Sequence, residues 1–98
     1  MATIEIKEDR DDVRVEIAGD LVASTYEAFD QAIRAFDVGD RRLILDLSRV
    51  PAIDSCGLGM LLLARDRARS GSVRITGTSE ALRRLLDVVS FGQLFQIE

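Results

Sequence analysis

The stretch Leu43–Gly59, LILDLSRVPAIDSCGLG, decides how the rest of the chain is read. Leu43-Ile44-Leu45 followed by Asp46-Leu47 is a short apolar run without alternation, which predicts a central strand covered on both faces. Ser48 to Ile53 is a loop holding the chain's single proline, Pro51. Asp54-Ser55 then precedes an apolar segment from Leu58 to Ala68, the second predicted helix. Its last turns carry Arg65, Arg67 and Arg69, placed against the negative end of the helix dipole, and Ser70-Gly71 stops it.

Toward the N-terminus, Ile4 and Ile6 alternate with Glu5 and Lys7, and Val13, Val15 and Ile17 alternate with Arg14 and Glu16. With the polar stretch Glu8-Asp9-Arg10-Asp11-Asp12 between them, these form a hairpin. Gly19 and Asp20 end its second strand. Ser24 opens a helix with Glu27 at capping-box spacing; Phe29, Ile33 and Phe36 share one face, and Gly39 terminates it. Toward the C-terminus, Ser72 to Thr76 reads as a strand and Gly77 as a turn. Ser79 caps a helix lined by Leu82, Leu85, Leu86 and Val89, Ser90 to Gln93 is a loop, and Leu94 to Ile97 is a last short strand. The order predicts one α/β domain over residues 1–98, a mixed β-sheet of about five strands packed with about three helices.

Composition agrees with a single small core: 98 residues, 47% hydrophobic and 31% charged. The longest apolar stretch, Leu58 to Ala64, is far short of the roughly 20 residues that cross a bilayer. The alternating start, Met1 to Glu8, lacks the pattern of a secretory signal. Cys56 is the one cysteine, so no internal disulfide forms, and the expected compartment is the cytoplasm. Histidine is absent, which removes Ser-His and Cys-His nucleophile pairs and His-containing metal sites; neither a metal nor a cofactor is expected. The net charge of −4 argues against nucleic acid and anionic lipid as partners, since phosphate backbones reward basic faces. Gly57 and Gly59 lack the Gly-Lys-Ser/Thr that completes a P-loop. A phosphoacceptor receiver needs an acidic pair after its first strand and a late lysine, whereas the single lysine here is Lys7. The expectation is a protein that is not an enzyme.

Asp54-Ser55-Cys56-Gly57-Leu58-Gly59 sits where a loop meets a helix N-terminus. Asp54 or Ser55 can cap that helix. Two glycines in its first turns cost roughly 0.5 to 1 kcal/mol each relative to Ala, which implies close approach by something. Ser55 lies beside unpaired backbone N–H groups, a favourable place for a phosphate. Cys56 reads as a small residue in a position open to Ser or Thr.

This hexapeptide resembles the D-S-[ST]-G-L-G motif of the STAS family of bacterial anti-sigma factor antagonists. Gly19-Asp20-Leu21 is similar to the family's G-E-L turn, with Val22 where antagonists commonly have Asp. Ser90-Phe91-Gly92-Gln93-Leu94-Phe95 resembles its closing segment. The resemblance implies phosphorylation of Ser55 by a serine-kinase anti-sigma factor that the unmodified protein binds. It further implies release on phosphorylation and restoration by a PP2C-type phosphatase, a partner switch in signal transduction and transcription regulation. The alternative in the same family is an accessory subunit of an ABC-type lipid transporter ATPase, without phosphorylation. The partner-binding residues expected are Asp20, Leu21, Ser24, Ile53, Asp54, Ser55, Cys56, Gly57, Leu58, Gly59 and Met60. Both turns follow strands of one sheet and so gather at its C-terminal edge, with Leu58 or Met60 as an apolar anchor.

Overall fold

The computed structural model describes residues 2–69 and 72–98. The two alternating N-terminal segments become β1 (Thr3–Glu8) and β2 (Asp12–Ala18), an antiparallel hairpin in which Ile6 faces Val15 and Lys7 faces Arg14. Asp9 shapes the turn, its Oδ1 accepting the N–H groups of Asp11 and Asp12, both at 2.8 Å. After β2 come a single turn of 3-10 helix (Ala23–Thr25) and α1 (Tyr26–Arg34). Then follow β3 (Arg42–Arg49), α2 (Ser55–Asp66), β4 (Val73–Thr76), α3 (Glu80–Val88), a 3-10 turn (Phe91–Gln93) and β5 (Gln96–Ile97).

The strands lie in sequence order, β1-β2-β3-β4-β5, so β3 is central, and every pairing after the hairpin is parallel. Each parallel step therefore moves the same way across the sheet, and right-handed crossovers place all three helices on one face. That face holds the core. Val13, Val15 and Ile17 of β2, Leu43, Leu45 and Leu47 of β3, and Val73 and Ile75 of β4 are buried with Phe29, Ile33, Leu61, Leu82 and Leu86 from the helices.

The expectation that β3 is covered on both faces is corrected. Leu43, Leu45 and Leu47 are buried, while Ile44 and Asp46 are only half-buried on the opposite, helix-free face. Ile44 hides the alternation because it is apolar on a face whose neighbours are charged. In that plane Lys7 pairs with Glu16 at 3.1 Å, Arg14 with Asp46 at 3.4 Å and Arg74 with Glu98 at 2.8 Å.

The helix boundaries shift for identifiable reasons. Ser24 does not cap α1. Thr25 organises that turn: its buried hydroxyl accepts the Val22 N–H at 3.1 Å and lies 2.9 Å from the Asp20 carbonyl, to which it donates. α1 ends at Arg34, before Gly39, and half-buried Phe36 lies beyond it. Gly39 instead serves a turn, at φ +63°. Ser79 does cap α3, accepting the Leu82 N–H at 3.1 Å, but the stripe ends early, since Val89 is exposed. Only Gln96–Ile97 of the expected Leu94–Ile97 strand pairs. Phe91 and Phe95 instead stack, with ring centroids 5.3 Å apart.

Arg65 and Arg67 do more than complement a dipole. Arg65 Nε donates to the Leu94 carbonyl at 2.8 Å and Arg67 Nη2 to the Phe36 carbonyl at 3.1 Å, so the end of α2 ties down the loops on both sides of it. The expected stop at Ser70-Gly71 lies outside the described residues.

Candidate functional site

Parallel strands send their following loops to one edge, and here the loops after β2 and β3 are joined by backbone. Leu21 N–H donates to the Ala52 carbonyl at 3.0 Å, Asp54 N–H donates to the Leu21 carbonyl at 3.2 Å, and Leu21 and Ile53 form a parallel bridge. The two turns therefore behave as one surface around the start of α2.

Asp54 is the hinge of that surface. Its extended backbone makes it the N-cap of α2, with Oδ1 accepting the Gly57 N–H at 2.9 Å. Oδ2 accepts the Ala23 N–H at 3.2 Å from the other loop. One carboxylate thus satisfies orphan donors on two elements. The Gly57 N–H, with help from Ala23 and Cys56, holds this carboxyl below its ordinary value. Of the two capping candidates the structure uses Asp54, which leaves the Ser55 hydroxyl at the first helical position, exposed.

The two glycines separate. A Cβ on Gly57 would collide with the Leu21 carbonyl oxygen and lie 2.8 Å from Ile53 Cγ2, so the close approach there is made by the chain's own loop after β2. Among the described residues, a Cβ on Gly59 meets nothing beyond its own helix within 4 Å.

The remaining expected residues fall into two groups. Asp20, Ser24, Asp54, Ser55 and Cys56 are exposed, and Ile53, Leu58 and Gly59 are half-buried. Leu21, Gly57 and Met60 are buried and support the surface from beneath. Neither Leu58 nor Met60 is the exposed apolar anchor: Leu58 packs against the core and Met60 is fully enclosed. Leu62 and Leu63 are the α2 leucines exposed to solvent, each at 37%. The signal was present in the spacing, since Leu62 falls one turn beyond Gly59 on the helix face that carries Ser55. Among the described residues no three His, Cys, Asp or Glu side chains group to hold a metal ion, and no helix is long and apolar enough to cross a membrane.

A five-stranded sheet with all helices on one side, and a serine at the first position of the helix after its central strand, defines an α/β domain of STAS type. The chain belongs to the STAS domain family, whose model, described as "Mlab, STAS domain", matches residues 4–96. A STAS-domain containing protein of Pseudomonas aeruginosa is 31% identical over 91 residues, covering 91% of this chain and 90% of that protein. Two solved structures share the fold. An anti-sigma factor antagonist from Mycobacterium paratuberculosis superposes with a TM-score of 0.86 at 22% identity, over 99% of this chain and 85% of that one. The Bacillus cell fate determinant SpoIIAA in its phosphorylated form gives a TM-score of 0.61 at 16% identity, over 98% and 91%.

Proposed function

We propose that the protein is an anti-sigma factor antagonist of a bacterial partner-switching system, acting in the cytoplasm by binding and without catalysis of its own. In this reading the unmodified protein binds a serine-kinase anti-sigma factor, phosphorylation of Ser55 releases it, and a PP2C-type phosphatase restores it. The observation that carries the reading is the exposed Ser55 hydroxyl at the start of α2, next to a capping carboxylate that also holds the neighbouring loop. A phosphate there adds about −1.5 to −2 charges at pH 7 beside Asp54, which disrupts a packed contact through repulsion and desolvation. The proposed contact residues are those of the joined loops, Asp20, Ser24, Ile53, Asp54, Ser55 and Cys56, continued by Leu58 and Gly59.

The test is incubation with the serine-kinase anti-sigma factor of the same genome and ATP, peptide mapping by mass spectrometry, and calorimetry of variants. Phosphate is expected on Ser55 alone. Ser55→Ala retains binding in the presence of ATP, and Ser55→Asp weakens it at least tenfold. Phosphate on Ser24 or Ser79 with Ser55 unmodified rejects the assignment.

The second reading is docking on a transporter ATPase with no phosphorylation, and the exposed Leu62-Leu63 pair serves either partner. Neighbouring genes separate the two cheaply: a kinase or phosphatase gene supports switching, and transporter genes support the subunit.

A further inference from the structure

β1 forms one edge of the sheet, with β2 as its strand partner. The other edge, β5, is two residues long, whereas β1 runs for six residues with no proline and no register shift. A regular edge of that length is a template for another strand. The hairpin fixes which of its backbone groups remain outside. Asp9 N–H donates to the Asp12 carbonyl at 3.0 Å, so every second residue back along β1, Lys7 and then Glu5, turns its main chain toward β2. Alternation sends the N–H and C=O groups of Ile4, Ile6 and Glu8 outward, where no other strand meets them among the described residues. Side chains alternate as well. Ile4 and Ile6 pack against the core, and Glu5 and Lys7 stand on the helix-free face. There Glu5 faces Glu16, a like charge, and has no ion pair among the described residues. Glu16 takes Lys7, whose side chain remains 61% exposed.

We propose that this edge binds a second copy of the chain, β1 against β1, antiparallel about a two-fold axis that passes through Ile6. In that register Ile6 meets Ile6, Ile4 meets Glu8, and Glu5 meets Lys7 of the other copy. All the outward backbone groups of the strand are then paired. Glu5 gains the cation it lacks, and each Lys7 sits between two carboxylates. The occupant is a second copy because the segment Glu5-Ile6-Lys7, read antiparallel, is its own complement in both charge and apolar position. Charge also selects the register, since a shift of the axis by one residue sets Glu5 against Glu5 or Lys7 against Lys7. The same register carries the hairpin turn of the other copy, with Arg10, past Ala2 toward the cleft that Ala2, Glu27 and Ala28 line. Arg10 and Glu27 are both exposed and, among the described residues, neither has an ion pair. The two sheets join into one, with both helix layers on the same side. The inference does not depend on the partner-switching reading.

Sedimentation equilibrium of the whole chain at about 100 μM is expected to show a dimer. Lys7→Glu sets carboxylate against carboxylate at both ends of the contact and weakens dimerisation about tenfold or more. Glu5→Lys sets ammonium against ammonium and does the same. Neither change threatens the fold, because the new side chain faces Arg14 in the first variant and Glu16 in the second, an opposite charge each time. Glu5→Lys combined with Lys7→Glu restores the dimer to within about threefold of wild type, since the charges match again in the same register. Hydrogen exchange reads the register itself. The Ile4, Ile6 and Glu8 amides are protected in wild type and in the double variant and exchange in the single variants, while the Glu5 and Lys7 amides, bonded to β2, are protected throughout. A wild-type chain that is monomeric at about 100 μM overturns the inference. So does a Lys7→Glu dimer as tight as wild type, or a dimer in which the Ile4 and Ile6 amides exchange freely.

Discussion

Asp54 shows how much one side chain can organise. Its two oxygens cap α2 through Gly57 and hold the preceding loop through Ala23, and both bonds need the ionised carboxylate. Asp9 behaves likewise, held low by the Asp12 and Asp11 N–H groups. For Asp46, burial pushes the carboxyl up, but the Ser48 N–H and hydroxyl and the charges of Arg14 and Arg49 outweigh it. All three titrate below the ordinary 3.8 in the folded state. Groups lowered in this way contribute stability that is fully present above the unfolded value and is lost as pH falls through the folded one. The melting temperature is therefore expected to be flat near pH 6 and to fall below about pH 4, and Asp54→Asn to show a shallower fall; equal slopes by circular dichroism remove Asp54 from this account. At this scale the sequence could not choose between Asp54 and Ser55 as the cap. The choice depends on Ala23, a donor 31 positions away that only the folded loops bring within reach.

The elements were legible where periodicity is strong and illegible where a tertiary contact ends them. β1 and β2 follow their alternating patterns closely, and Ser79 caps α3 as its spacing implies. α1 stops short of Gly39 at Arg34, and Val38 turns inward to be buried, a demand of the core that no local signal announces. The end of α3 is strained in a measurable way. Ser90 adopts φ +60°, ψ +31°, the left-handed conformation, as the chain leaves the helix. That conformation penalises a residue with a Cβ, while glycine adopts it freely at the cost of more unfolded-state entropy. Ser90→Gly is therefore expected to raise stability by roughly 0.5 to 1 kcal/mol, read from the urea midpoint, with the slope unchanged. A lowered midpoint means that the Ser90 side chain contributes more than the strain removes.

The whole molecule divides into a helix-covered sheet face that carries stability and an open face that carries charge. Leu45 sits at the centre of the covered face, fully buried and paired with Val15 and Ile75 on either side. Leu45→Ala is expected to cost about 2 to 5 kcal/mol, a large part of the ~5 to 15 kcal/mol that holds a domain folded. Arg14→Ala, which removes the Arg14–Asp46 pair on the other face, is expected to change stability by no more than about 1 kcal/mol, because part-exposed pairs are weakly stabilising. Chemical denaturation of both variants checks the contrast, and comparable losses overturn the one-sided picture. The mixed α/β architecture, the central position of β3 and a serine beside the start of the next helix followed from the sequence. Each depends on local patterning: side-chain period, cap chemistry, and a glycine or proline at a turn. Tertiary structure alone decided that the sheet is covered on one face, and that Gly57 answers to the Leu21 carbonyl while a Cβ on Gly59 would meet nothing among the described residues. Those outcomes depend on which surfaces meet after the crossovers close, and burial is a property of that meeting rather than of any residue's own spacing.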